Sequence, residues 1–291
     1  MFTAAALLTG CKKNADSSLA PVTLNEVAHS IFYAPQYAAI ELGYFKDEGI
    51  DLTLVNGAGA DKVMTALVSG DADIGFMGSE ASIYTYIQGD DDYAVNFAQL
   101  TQRAGNFLVV RTPEADFKWE NLIGKKVLGG RAGGMPQMVF EYILKKNGID
   151  PAKDLTIDQS ISFGLTAAAF TSNDFDYTVE FEPFATALEQ EGNGYVVASL
   201  GKDSGYVPYT AYSVKQSYLN AHPEIIQGFT NALQKGMDYV QSHTPAEIAK
   251  VIAPQFAETD LEDITTDIRM IVIGNVFEWC LKSGNADFEG N

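Results

Sequence analysis

Three short stretches carry residues that could do chemistry. "GGRAGGMP" (129–136) sets Arg131 among glycines and ends on a proline, "GSEAS" (78–82) offers Ser79 and Glu80, and "EFEPF" (180–184) carries Glu180 and Glu182. Glutamates at alternate positions of a strand point to one face, and paired carboxylates can exchange protons with a substrate. Glycines let backbone amides approach a ligand closely, and the free N–H groups of the helix expected after Pro136 face the same loop. Such a loop can cradle an anion or a carbonyl oxygen. It is not a phosphate loop: Gly129 and Gly134 have the spacing, but Met135 stands where the lysine belongs. The dinucleotide pattern GxGxxG fails here and in "GAGADK" (57–62), and GxSxG and HExxH are absent. His29, His222 and His243 are widely spaced, and Cys11 and Cys280 lie near opposite ends, so no metal, cofactor or disulfide framework is expected. With no nucleophile beside them, the glutamates read more simply as acceptors for a ligand's N–H groups or as partners of Arg103 or Arg131.

The elements that must position these residues alternate. "TLNEVA" (23–28), "IDLTLV" (50–55), "ADIGFMG" (72–78) and "YAVNFAQL" (93–100) are predicted strands, separated by helices over 34–45, 59–70 and 80–88. A second series follows: a strand ending at 125–130, a helix over 136–148, strands at 154–158, 176–181, 195–200 and 209–214, and a helix at 164–172. Beyond 215 the chain reads as helical, with "TPAE" (244–247) forming a capping box. This predicts an α/β protein of two lobes, each a mainly parallel sheet flanked by helices. The junctions near 104–113 and 200–210 are extended and short, as a hinge requires. In such sheets ligands bind beyond the carboxyl ends of the strands. "HSIFYAP" (29–35), "NGAGAD" (56–61), "GSEAS", "TQRAGN" (101–106), "GGRAGGMP" and "EFEPF" all fall there. Phe32, Tyr33, Tyr206 and Tyr209 are placed either to stack on a flat ligand or to fill the core.

The chain has 291 residues and a formal net charge of −19, which opposes binding to nucleic acid or to anionic lipid. The start, "MFTAAALLTGC", places small residues before Cys11 in the manner of a bacterial lipobox, although it lacks a basic leader and is too short to span a bilayer. On this reading Cys11 is acylated, "KKNADSSLAP" is a tether, and the protein is extracytoplasmic, lipid-anchored to the bacterial cell membrane.

Residues 33–82, with "ELGYFKDEGIDL" and "GDADIGF", and the later "GGRAGGMP", "ILKKNGIDP" and "FEPFAT", resemble the solute-binding proteins of ABC importers. The nearest group is the nitrate/sulfonate/taurine type, also called NMT1/THI5-like, and the likeness covers roughly 23–255. It implies a two-lobed periplasmic-binding-protein-like fold (type II), a small-molecule ligand in the inter-lobe cleft, no catalysis, and docking of a monomer onto a permease. Expected boundaries are a signal remnant and tether at 1–22, a first lobe of 23–110 plus 206–291, and a second lobe of 111–205. By analogy the ligand-facing residues are Phe32, Tyr33, Ser79, Glu80, Arg103, Asn106, Arg131, Gly133, Gly134, Met135, Glu182 and Tyr209. Nitrate, taurine or an alkanesulfonate would use the arginines and glycine amides. A pyrimidine-like heterocycle, slightly favoured, would stack on tyrosines and donate to Glu80 or Glu182. Residues 265–291 depart from the family pattern, and the cysteine-rich motif of the family's pyrimidine-synthesising enzymes is missing.

Overall fold

The computed structural model describes residues 19–161, 164–273 and 279–283. Cys11 lies outside them, as do residues 12–18 of the expected tether. Among the described residues, eleven strands form two sheets. In chain order they are β1 (Ala20–Glu26), β2 (Ile50–Asn56), β3 (Ile74–Gly78), β4 (Ala94–Thr101), β5 (Asn106–Val110), β6 (Lys126–Leu128), β7 (Thr156–Asp158), β8 (Tyr177–Phe181), β9 (Tyr195–Ser199), β10 (Thr210–Lys215) and β11 (Trp279–Ser283). The first sheet has the order β11-β4-β10-β3-β1-β2, and the second β7-β6-β8-β5-β9. Within the first, β1 is parallel to β2 and β3, while β10 runs antiparallel to β3 and β4. Within the second, β6 is parallel to β7 and β8, while β5 runs antiparallel to β8 and β9. Apart from β11, the two sheets share one plan. Each has a single antiparallel strand, β10 or β5, and that strand is the one the chain enters after crossing from the other sheet.

This plan departs from the sequence reading at two boundaries. β1 begins at Ala20, inside the expected tether. Residues 106–110 belong to the second sheet, with Asn106 opposite Phe181 and Val110 opposite Tyr177. All five residues of β5 are buried. A strand covered on both faces shows no alternation, so it reads as a junction rather than as a strand. The crossings are therefore the shorter segments 102–105 and 200–209.

Local signals placed the helices well. The helix Ala60–Ser69 buries Val63, Met64 and Leu67 and stops at Gly70, whose φ of 85° suits glycine. Each fully buried aliphatic side chain there contributes about 1.5–3 kcal/mol. The expected helix over 34–45 is instead two, Ala34–Glu41 and Tyr44–Asp47, because Gly43 at φ 76° turns the chain between them. The Thr244–Glu247 capping box forms as predicted. The long helix Pro223–Ser242 covers the first sheet, burying Phe229, Leu233 and Met237 in the main core.

Candidate functional site

A cavity of about 580 Å³ lies between the two sheets, and both line it. Its walls come from the segments that follow strand ends: Val27 after β1, Gly59–Asp61 after β2, Glu80 after β3, Arg131–Pro136 after β6, Phe181 at the end of β8, and Tyr209 beside β10. Strands of an open sheet deliver their ends to one edge, so two facing edges make a cleft.

Glu80 is the most telling residue. It begins the helix Glu80–Ile87 and is 4% exposed. Its Oε1 accepts the backbone N–H of Met135 at 3.0 Å, joining the first half of the molecule to the start of the helix Met135–Lys146 in the second. Its Oε2 is buried without a hydrogen-bond partner. Burial pushes the carboxyl up to about 7, against the pull of its own backbone amide and that of Met135. Gly78 leaves it room: a Cβ there would stand 2.1 Å from Oε2. Tyr84 and Gln88 follow Glu80 at four-residue spacing and line the same wall. The Tyr209 hydroxyl is also buried and unpartnered, and burial raises it well above the usual tyrosine range.

Other contacts close the cleft. Arg131 donates to Asp61 Oδ2 at 2.8 Å across the gap, so the glycine-loop arginine bridges the halves. The Cβ of any larger residue at Gly59 would sit 2.5 Å from that guanidinium. The Tyr84 hydroxyl reaches Met138 Sδ at 4.0 Å, and Ser30 Oγ donates to the Glu182 carbonyl at 3.0 Å.

The amides expected to cradle an anion are already engaged. The Gly133 N–H bonds Gln137 Oε1 at 2.6 Å, the Gly134 N–H bonds the Arg131 carbonyl at 3.2 Å, and that of Met135 bonds Glu80. Lining residues with ionisable carboxyl or guanidinium groups are Asp61, Glu80 and Arg131, and Asp61 already matches Arg131.

Of the residues singled out from sequence, Tyr33, Glu80, Arg131, Gly133, Gly134, Met135 and Tyr209 line the cavity. Five lie elsewhere. Phe32 is buried beneath it, against Tyr33, Phe181 and Tyr209. Ser79 does not cap its helix; its Oγ donates to the Pro208 carbonyl at 2.6 Å. Arg103 lies over the Tyr206 ring and bonds the Gly201 carbonyl, tying the two crossings together. Asn106 is fully buried in β5. Glu182 is buried beyond the end of β8, and its Oε2 accepts the Thr186 N–H. The same-face expectation for Glu180 and Glu182 does not put them in one site: Glu180 bonds Thr178 and Thr166, and burial pushes it up to about 7. Sequence reasoning placed Asp61 only as the end of the "NGAGAD" cluster, and missed Met64, Thr65, Tyr84 and Gln88. The signal for the last two was helical spacing from Glu80.

The architecture is that of the solute-binding proteins of ABC importers. In fold it is similar to the alkanesulfonate-binding protein SsuA of Xanthomonas axonopodis pv. citri bound to MOPS, with a TM-score of 0.73 at 17% identity over 90% of this chain and 86% of that one. The NMT1/THI5-like family model matches residues 31–248, and the chain belongs to that family. It is 46% identical over 261 residues to a Bacillus subtilis (strain 168) protein named "Putative binding protein YtlA", covering 90% of this chain and 78% of that one. A more distant relative is the 4-amino-5-hydroxymethyl-2-methylpyrimidine phosphate synthase of Aspergillus parasiticus, 22% identical over 236 residues, 76% of this chain and 66% of that one.

Proposed function

We propose that the chain is the extracytoplasmic receptor of an ABC importer, and that it captures a small pyrimidine-like heterocycle and hands it to the permease as a monomer. The observation that carries the ligand class is Glu80 Oε2, a buried acceptor with no partner, in a cavity walled by Tyr33, Tyr84, Tyr209 and Phe181. A flat heterocycle stacks on such walls, and a ring or exocyclic N–H satisfies the carboxylate. An alkanesulfonate or nitrate would meet a cavity whose one guanidinium is already paired and whose glycine amides are spent. The pyrimidine named in the Aspergillus relative is of the favoured chemistry. Acylation of Cys11 would hold the receptor beside its permease, and incorporation of labelled palmitate that Cys11→Ser abolishes is the expected result.

A thermal-shift screen tests the ligand class, because a true ligand raises the midpoint by mass action. Substituted pyrimidines, flavins, taurine, alkanesulfonates and nitrate are compared side by side. The expected outcome is a concentration-dependent rise with pyrimidines and none with the anions. The reverse order would sink the assignment.

A further inference from the structure

A second buried acidic group lies outside the cavity, where the two halves meet. The helix Leu261–Ile273 packs on the helix Pro245–Ile252 and on the turn Ile31–Tyr33, and its Ile264 and Ile268 join the main core. It presents Asp263 and Asp267, one turn apart, to Glu182, Thr186 and Gln190 of the other half. Gln190 Nε2 donates to Asp263 Oδ1 at 3.0 Å. One turn further in, Asp267 is 0% exposed and Glu182 is 3% exposed. Both Asp267 oxygens and Glu182 Oε1 lack a hydrogen bond of normal geometry, although the Thr186 hydroxyl lies near Asp267. The charges that bear most on the pair are also negative: Asp263 from the same helix, and Glu189 beside Glu182. Two bare carboxylates cannot share a dry interface, because each charge pays desolvation and repels the other.

We infer that Asp267 and Glu182 hold one proton between them, and that the two halves close only when that proton is bound. In the closed molecule, burial and the Glu182 charge push Asp267 up to about 8. In an opened molecule both groups face water and ionise as ordinary carboxylates. Closure therefore takes one proton from solvent. The sign follows: the closed form is favoured at low pH and weakens, up to tenfold per pH unit, as pH rises toward 8.

Small-angle scattering of the ligand-free full chain tests this at pH 6 and pH 9, and so independently of which ligand the cavity takes. The expected result is a compact particle at pH 6 and a larger radius of gyration at pH 9. Asp267→Asn puts an amide donor against Glu182 and holds the particle compact at pH 9; Glu182→Gln does the same from the other side. If Asp267→Asn fails to fold, Glu182→Gln carries the test alone. Equal dimensions of the wild type at both pH values overturn the proposal. So does an alkaline opening that persists in the variants, which would assign it to Glu80, the other carboxyl that closure buries. Closure that ignores pH but needs added sodium or potassium would put a cation between the carboxylates and also overturn it.

Discussion

Replacing Glu80 by glutamine exchanges one oxygen for NH₂ and removes the charge the carboxyl carries above about 7. Oε1 keeps its acceptor role toward the Met135 N–H, so the link between the halves survives. At the other position an NH₂ replaces the bare Oε2. A ligand N–H aimed there then meets a donor. Hydrogen bonds to a charged group contribute about 1.5–3 kcal/mol net, which converts to a roughly 10- to 150-fold loss of affinity. Titration calorimetry of Glu80→Gln with the pyrimidine that gives the largest thermal shift measures this directly. Thermal stability should be retained, because Glu80 is held against burial and an amide bears burial more cheaply than a carboxylate. Affinity within about threefold of wild type would refute the role given to Oε2 and leave its burial unexplained.

Four further outcomes follow from the same geometry. Gly78→Ala forces Glu80 aside, since a Cβ would approach Oε2 to 2.1 Å; binding should weaken as much as in Glu80→Gln, with a stability loss of about 1–3 kcal/mol in chemical denaturation. Tyr209→Phe removes a buried, unpaired hydroxyl, so denaturation should show equal or higher stability, and a fall in ligand affinity would mark the hydroxyl as a ligand contact. Asp61→Asn and Arg131→Ala each break an ion pair whose side chains are 58% and 39% exposed, so each should weaken binding only a few-fold in calorimetry, and the double variant no more than either alone. His29 lies 2.7 Å from the buried Glu26, and that contact raises its pKa above the ordinary 6.5. Its contribution is thus complete below 6.5 and lost as pH climbs through the raised value. Denaturation midpoints should fall from pH 6 to pH 9 more in the wild type than in His29→Gln.

Much of this architecture is legible in the residues. Amphipathic helices such as Ala60–Ser69 announce themselves through periodicity, and the clusters after strands mark the cleft edge because open sheets leave their ligand loops there. What failed to show was non-local. Nothing in "NFLVV" tells that it joins β8 and β9 rather than extending β4. Arg131 reads as an anion ligand until Asp61, seventy positions earlier, takes its charge. Glu182 reads as a site residue until the fold buries it beyond the end of β8, where it accepts the Thr186 N–H instead of lining the cavity. The amides of Gly133, Gly134 and Met135 look free in sequence, yet Gln137, Arg131 and Glu80 accept from them in turn.

The exchange of antiparallel strands also sets the order in which the protein can assemble as it leaves the ribosome. Every strand of the second sheet, β5 to β9, lies within residues 106–199. That unit can complete its sheet early, from a continuous piece of nascent chain. The first sheet cannot: β3 and β4 stay apart until β10 is made, at residues 210–215, and inserts between them. Until then both flanks of that gap are open edges able to pair wrongly. An excised 102–205 fragment should therefore hold its fold on its own, while a fragment ending at 101 should aggregate.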